Sequence, residues 1–137
     1  MCELRVEANI KNLPGVLAFI DEKLEEAGCS MKTQVQIDVA VEEIFVNIAS
    51  YAYVLKHGIG DALIRVAIRQ DPKRVEITFI DSGIPYNPLE KEDPDVTLSV
   101  EERRIGGLGI YMVKKSMDGM FYERKEDKNI LMITKKL

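Results

Sequence analysis

The sequence predicts an α+β fold: a two-layer sandwich in which helices cover one face of a mostly antiparallel mixed sheet. Two observations lead there. Alternating segments follow one another closely enough to form hairpins, and the elements run strand, helix, helix, two strands, loop, helix, two strands. A doubly wound parallel sheet needs strict alternation of strand and helix, which this order lacks. With 137 residues and 46% apolar side chains, the chain is expected to bury a core as one domain over 1–137 without metal or disulfide help.

At the N-terminus, Cys2, Leu4, Val6, Ala8 and Ile10 alternate with Glu3, Arg5, Glu7 and Asn9, the period of a half-buried strand. Asn12 is the expected cap of a first helix, with Pro14 in its first turn. Leu13, Val16, Leu17, Ile20 and Leu24 form its apolar stripe, and Gly28 is its expected stop. A second helix is expected over 31–55, burying Ile37, Val41, Ile44, Ile48 and Ala52, until His57, Gly58, Ile59 and Gly60 break it. His57 reads as a surface residue in that turn.

Two strands come next over 62–69 and 74–80, with Ile64, Val66 and Ile68 inward in one and Val75, Ile77 and Phe79 in the other. Asp71 and Pro72 mark the turn between them. Over 81–104 the periodicity disappears among Pro85, Pro88, Pro94 and many charges, the character of a lid, a binding loop or disorder. Gly106, Gly107, Leu108 and Gly109 then lead into a helix through Tyr111, Val113 and Met117, closed by Gly119. The chain is expected to close with a hairpin of strands over 120–125 and 130–136, turning at 127–129. Met112, Met117 and Met120 read as core filling.

Composition removes several function classes. A net charge of −4 argues against nonspecific nucleic-acid binding. Cys2 and Cys29 are too few for a disulfide framework, and one histidine cannot build a multi-histidine zinc site. No apolar run approaches the roughly 20 residues that cross a bilayer, and the alternating N-terminus is unlike a signal peptide. A cytoplasmic protein without a membrane partner is expected.

Three segments carry chemistry. Glu43 and Asn47, at i and i+4 on the second helix, share one face, while Glu42 points about 100° away. An asparagine inside a helix is a poor choice unless something uses its amide, whose oxygen suits Mg²⁺; the neighbouring carboxylate could act as a base. The pair is also compatible with a solvated polar strip. Asp81-Ser82-Gly83-Ile84-Pro85 directly follows a strand, where an aspartate can accept from an exocyclic amine and a glycine lets backbone approach a flat base. The same letters also spell a plain turn. Gly106-Gly107-Leu108-Gly109 opens a helix, where backbone N–H groups and the helix dipole suit phosphate. It has neither the P-loop pattern nor a preceding strand.

In this order and on these elements, the three segments resemble the boxes of the Bergerat-fold (GHKL, histidine kinase-like) ATPases. Glu43…Asn47 looks like the N box, Asp81 to Pro85 like the first glycine box, and Gly106 to Gly109 like the second. The stand-alone size, DSGIPYNP and GGLGIYMVKK are similar to the anti-sigma factor serine/threonine protein kinases. That resemblance implies ATP and Mg²⁺ as cofactors and Glu43 as the general base. It also implies Asn47 as the Mg²⁺ ligand and Asp81 as the partner of adenine N6, with Gly83 and Pro85 beside the base. Backbone contacts from Gly106, Gly107, Leu108 and Gly109 would hold the phosphates. An ATP lid would span about 88–105, with Arg103 or Arg104 near phosphate charge by position alone. Tyr51 stands where many relatives have a histidine, so an aromatic would border the nucleotide instead. The implied partners are a sigma factor and an anti-anti-sigma antagonist phosphorylated on serine, in a transcription-regulating homodimer that does not touch nucleic acid directly. A non-catalytic ATP-binding module and a histidine kinase-type ATPase domain acting in trans remain alternatives.

Overall fold

The computed structural model describes residues 1–90 and 107–137. Among these, strands β1 (Cys2–Glu7), β2 (Asp61–Arg69), β3 (Arg74–Asp81), β4 (Gly119–Lys125) and β5 (Lys128–Lys136) form one sheet in the order β1-β2-β3-β5-β4. Every pairing is antiparallel, so the expected mixed character is absent and the α+β sandwich stands. The helices are α1 (Leu13–Glu26), α2 (Met31–Asn47) and α3 (Gly107–Ser116), with α2 packed between the other two.

The inward alternation expected of β2 and β3 is observed. Ile64, Val66, Val75, Ile77 and Phe79 are buried, joined by Leu131 and Ile133 of β5. Val16, Ile20 and Leu24 of α1 and Ile37, Val41, Ile44 and Phe45 of α2 close the core from the helix layer. Phe45 and Phe79 are its largest fully buried side chains. The helices have little choice of face, because period-2 strands and period-3.6 helices each offer a single apolar side.

Element ends carry the corrections. Asn12 makes no side-chain cap; Asn9 does, accepting from Lys11 N–H above a 3₁₀ turn over Ile10–Asn12, and α1 continues from there. Asn12 instead donates to the Glu7 carbonyl. Gly28 does stop α1, at φ +75°, while Cys29 N–H bonds Leu24 O and Gly28 N–H bonds Glu25 O. The second helix stays α-helical only to Asn47, then widens to a π turn over Ile48–Ala52 and a 3₁₀ turn over Val54–Lys56. The last hairpin turns at Glu126 and Asp127, both at positive φ, so Asn129 belongs to β5. Met112 is exposed and fills no core, whereas Met117 is buried as expected.

Candidate nucleotide site

The sheet register brings distant polar residues into one line. At one end of the helix-facing side, successive cross-strand partners are Val6, Ala62, Asp81, Asn129 and Arg124. Asp81 and Asn129 therefore stand opposite each other, 6% and 5% exposed. A buried amide beside a buried carboxylate must be bonded, and it is: Asn129 Nδ2 donates to Asp81 Oδ1 at 3.0 Å.

The segment after β3 is tied down at each available backbone N–H. Ser82 N–H donates to Tyr53 Oη at 2.9 Å, Gly83 N–H to Asp81 Oδ1 at 2.9 Å, and Ile84 N–H to Ala52 O at 2.8 Å. Pro85 has none to give, and Tyr86 N–H reaches Asn129 Oδ1 at 3.2 Å. Arg124 Nη1 donates to Gly83 O at 2.9 Å and Asn129 Nδ2 to Ile84 O at 2.8 Å. Burial raises the Tyr53 hydroxyl above the usual phenol range, and its proton goes to Asp61 O at 2.5 Å.

The π turn explains why position 83 is glycine. It brings the Ala52 carbonyl against the loop, and a Cβ at Gly83 would overlap that carbonyl. π turns recur at functional sites because the extra residue re-aims the backbone beyond it. Here the sequence offered no local signal, since IASYA reads as ordinary amphipathic helix.

These pieces enclose a pocket of about 580 Å³ including its open mouth. Its walls are largely apolar, with Ile44, Ile48, Phe79, Ile110 and Leu131 among them, and its polar groups are Asn47, Tyr51, Asp81, Tyr86, Tyr122 and Asn129. That balance of apolar walls and few placed polar groups is typical of a small-molecule site. Asp81 and Asn47 both line it; the donors to Asp81 are on Oδ1, leaving Oδ2 without one among the described residues, and the Asn47 amide is likewise unpartnered among them. A purine base carrying an amine fits the first group, and a hard cation fits the second.

Glu43 lies one turn before Asn47 and outside the pocket lining. Its carboxylate sits against Gly109, where any Cβ would overlap it, near the N-terminal end of α3. No ion pair or hydrogen bond to it is present among the described residues. Glu42 is exposed, as its helical phase requires.

The fold thus brings distant residues to the 43–52 stretch: Asp81 joins Asn47 and Tyr51 in the pocket lining, Gly83 lies against Ala52, and Gly109 lies against Glu43. Tyr51 lines the pocket yet remains 61% exposed, while Pro85 is exposed and outside the lining. Gly107 and Leu108 begin α3. Gly106, Arg103, Arg104 and the part of the expected lid beyond residue 90 lie outside the described residues. The sequence reading missed Asn129, Tyr122, Tyr53 and Arg124. One signal was available for Asn129: it occupies the inward phase of Leu131 and Ile133, where a polar residue is out of place.

A profile of the histidine kinase-like ATPase domain matches residues 6–135. The chain belongs to that family. An ATP site is the corresponding expectation for a member, and the pocket fits one. Among curated relatives of this ATPase-domain chain, the serine/threonine-protein kinase BtrW of Bordetella bronchiseptica is 26% identical over 105 residues, covering 77% of this chain and 72% of the relative. The serine-protein kinase RsbW of Bacillus cereus is 29% identical over 138 aligned positions, covering 93% and 82%. A crystal structure of the RsbU and RsbW domains of Rv1364c from Mycobacterium tuberculosis superposes with a TM-score of 0.66 at 17% identity. This chain is covered in full by that match but spans only 33% of the larger protein, so the likeness concerns the fold. No helix among the described residues is long and apolar enough to cross a membrane.

Proposed function

We propose that the protein is an ATP-dependent protein serine kinase of the anti-sigma type, acting as one ATPase unit over 1–137. Its substrate would be an antagonist protein presenting a serine hydroxyl, and nucleotide state would switch its hold on a sigma factor. The observation that carries the reading is Glu43: a carboxylate with no partner among the described residues, set against the N-terminal end of α3 and one helical turn from Asn47 at the pocket edge. Simple nucleotide binding needs no base there. The kinase names of the relatives support the same reaction class.

In this reading Asp81 Oδ2 accepts from the 6-amino group of the base, and Gly83 leaves room for its ring. The N–H groups of Gly107, Leu108 and Gly109 at the start of α3 hold phosphate oxygens. Mg²⁺ on the Asn47 amide oxygen would neutralise phosphate charge. Glu43 orients the serine hydroxyl and takes its proton as the oxygen–phosphorus bond forms and the bond to ADP breaks. Positioning and electrostatics carry most of such a transfer. A homodimer in the cytoplasm is the proposed assembly.

Incubation with γ-labelled ATP and candidate antagonist proteins is the direct test. Label should appear on serine, and Glu43→Ala should slow transfer by about 10²–10⁴-fold, the usual worth of a general base, while sparing ATP affinity. Transfer at an unchanged rate in Glu43→Ala would remove the assigned base. Tight ATP binding with no transfer to protein would favour a purely regulatory module, and an acid-labile phosphohistidine product would favour a histidine kinase-type domain.

A further inference from the structure

Asn129 uses its whole hydrogen-bonding capacity. Nδ2 donates to Asp81 Oδ1 at 3.0 Å and to Ile84 O at 2.8 Å. Oδ1 accepts from Tyr86 N–H at 3.2 Å and from the Tyr122 hydroxyl at 2.5 Å. The backbone partners fix which end is which, because Ile84 O can only accept and the Tyr86 N–H can only donate. One side chain therefore joins the floor of the pocket, Asp81, to its wall, Ile84 and Tyr86.

The consequence falls on Asp81. With Asn129 Nδ2 and Gly83 N–H both on Oδ1, that oxygen is taken, and Oδ2 alone is offered to a ligand. The offer is that of an acceptor. A purine with a 6-amino group donates to it, whereas a 6-oxo purine sets oxygen against oxygen.

We propose that Asn129 is a positioning residue that aims Asp81 Oδ2 and the 84–86 wall together, and thereby sets selectivity for a 6-amino over a 6-oxo purine nucleotide. This rests on the nucleotide-site reading above. Asn129 lines the pocket with its amide already fully bonded to protein partners, so it acts through its neighbours. An aliphatic side chain of equal size would preserve the packing of β5 but leave Asp81 free to rotate and the wall untied. An aspartate would place oxygen against both Asp81 Oδ1 and Ile84 O.

The test measures equilibrium affinity of the full chain for fluorescent ATP and GTP analogues, in wild type, Asn129→Asp and Asn129→Leu. At pH 8, Asn129→Asp should lose at least about tenfold in ATP affinity, and its ATP-to-GTP preference should collapse. At pH 6 a proton shared between the facing carboxylates replaces the lost donor, so the variant-to-wild-type gap should narrow several-fold. Asn129→Leu should lose affinity equally at both pH values. A purely structural role would lower affinity without changing either the nucleotide preference or the pH profile. Wild-type preference retained in both variants at both pH values overturns the proposal. Tyr122→Phe covers the case in which the Asn129 variants melt below the assay temperature. It removes one donor to Asn129 Oδ1 and should weaken ATP a few-fold and narrow the preference, and unchanged binding there also overturns the proposal. Wild type that binds neither nucleotide refutes the site reading and the proposal with it.

Discussion

From Ser82 to Tyr86 each available backbone N–H has an acceptor, whereas at the other end of the site Glu43 and Asn47 have side chains with no partner among the described residues. In the proposed reading the first is the base end, assembled by the fold itself. The second is the phosphate end, which holds polar groups in reserve with the N-terminal end of α3 beside them. In such an arrangement, damage to the base end should cost stability and binding together. Damage to the phosphate end should cost chemistry and leave the fold alone, because groups that bond nothing contribute little to stability.

Gly83→Ala is the hardest blow to the base end. Its Cβ would overlap the Ala52 carbonyl, and backbone cannot step aside as a side-chain tip can. Stability should fall by about 2 kcal/mol in urea titration, and ATP affinity by more than about tenfold. Loss of stability with intact binding would show that the two are not built from the same contacts. Tyr53→Phe is milder. It strands the Ser82 N–H and the Asp61 carbonyl, for about 1 kcal/mol and a few-fold in affinity.

The smallest effect concerns a contrast region outside the site. Asp21 of α1 and Asp38 of α2 face each other, each with one buried oxygen unbonded among the described residues. Burial pushes the Asp38 carboxyl up to about 7, with the facing Asp21 carboxyl adding to it, while burial and then Asp38 raise the nearby Cys29 thiol. The folded state therefore keeps a proton that the unfolded chain releases near pH ~4. Stability should be greatest below that pH for this pair and fall as pH rises through about 7. Asp38→Asn should remove this slope and stabilise the protein at pH 8 by about 1 kcal/mol after solvent screening. ATP affinity should stay unchanged, which separates stability at large from stability of the base end.

Much of the fold was legible because each element declares its own period. The inward residues of β2 and β3, the stripes of α1 and α2 and the stop at Gly28 follow from chirality and alternation alone. The helix at the glycine cluster and the placing of Glu43 and Asn47 on one helix face were legible for the same reason. Element ends were not, because Asn9 and Asn12 are equally good caps on paper and only the path of the chain from Glu7 selects one. The π turn after Asn47 was invisible because it answers to Ile84 and Gly83, residues that the helix meets only in three dimensions.

The sequence by itself determined the α+β class, the apolar faces and the residue types able to serve a base, a cation and a phosphate. All of these depend on neighbours within a few positions. Tertiary structure alone decided that β5 lies between β3 and β4, and hence that Asn129 faces Asp81 and Tyr122 reaches both the amide and the pocket. Pairing between strands 48 residues apart is set by the packing of whole sheet and helix layers, for which no local pattern is a proxy.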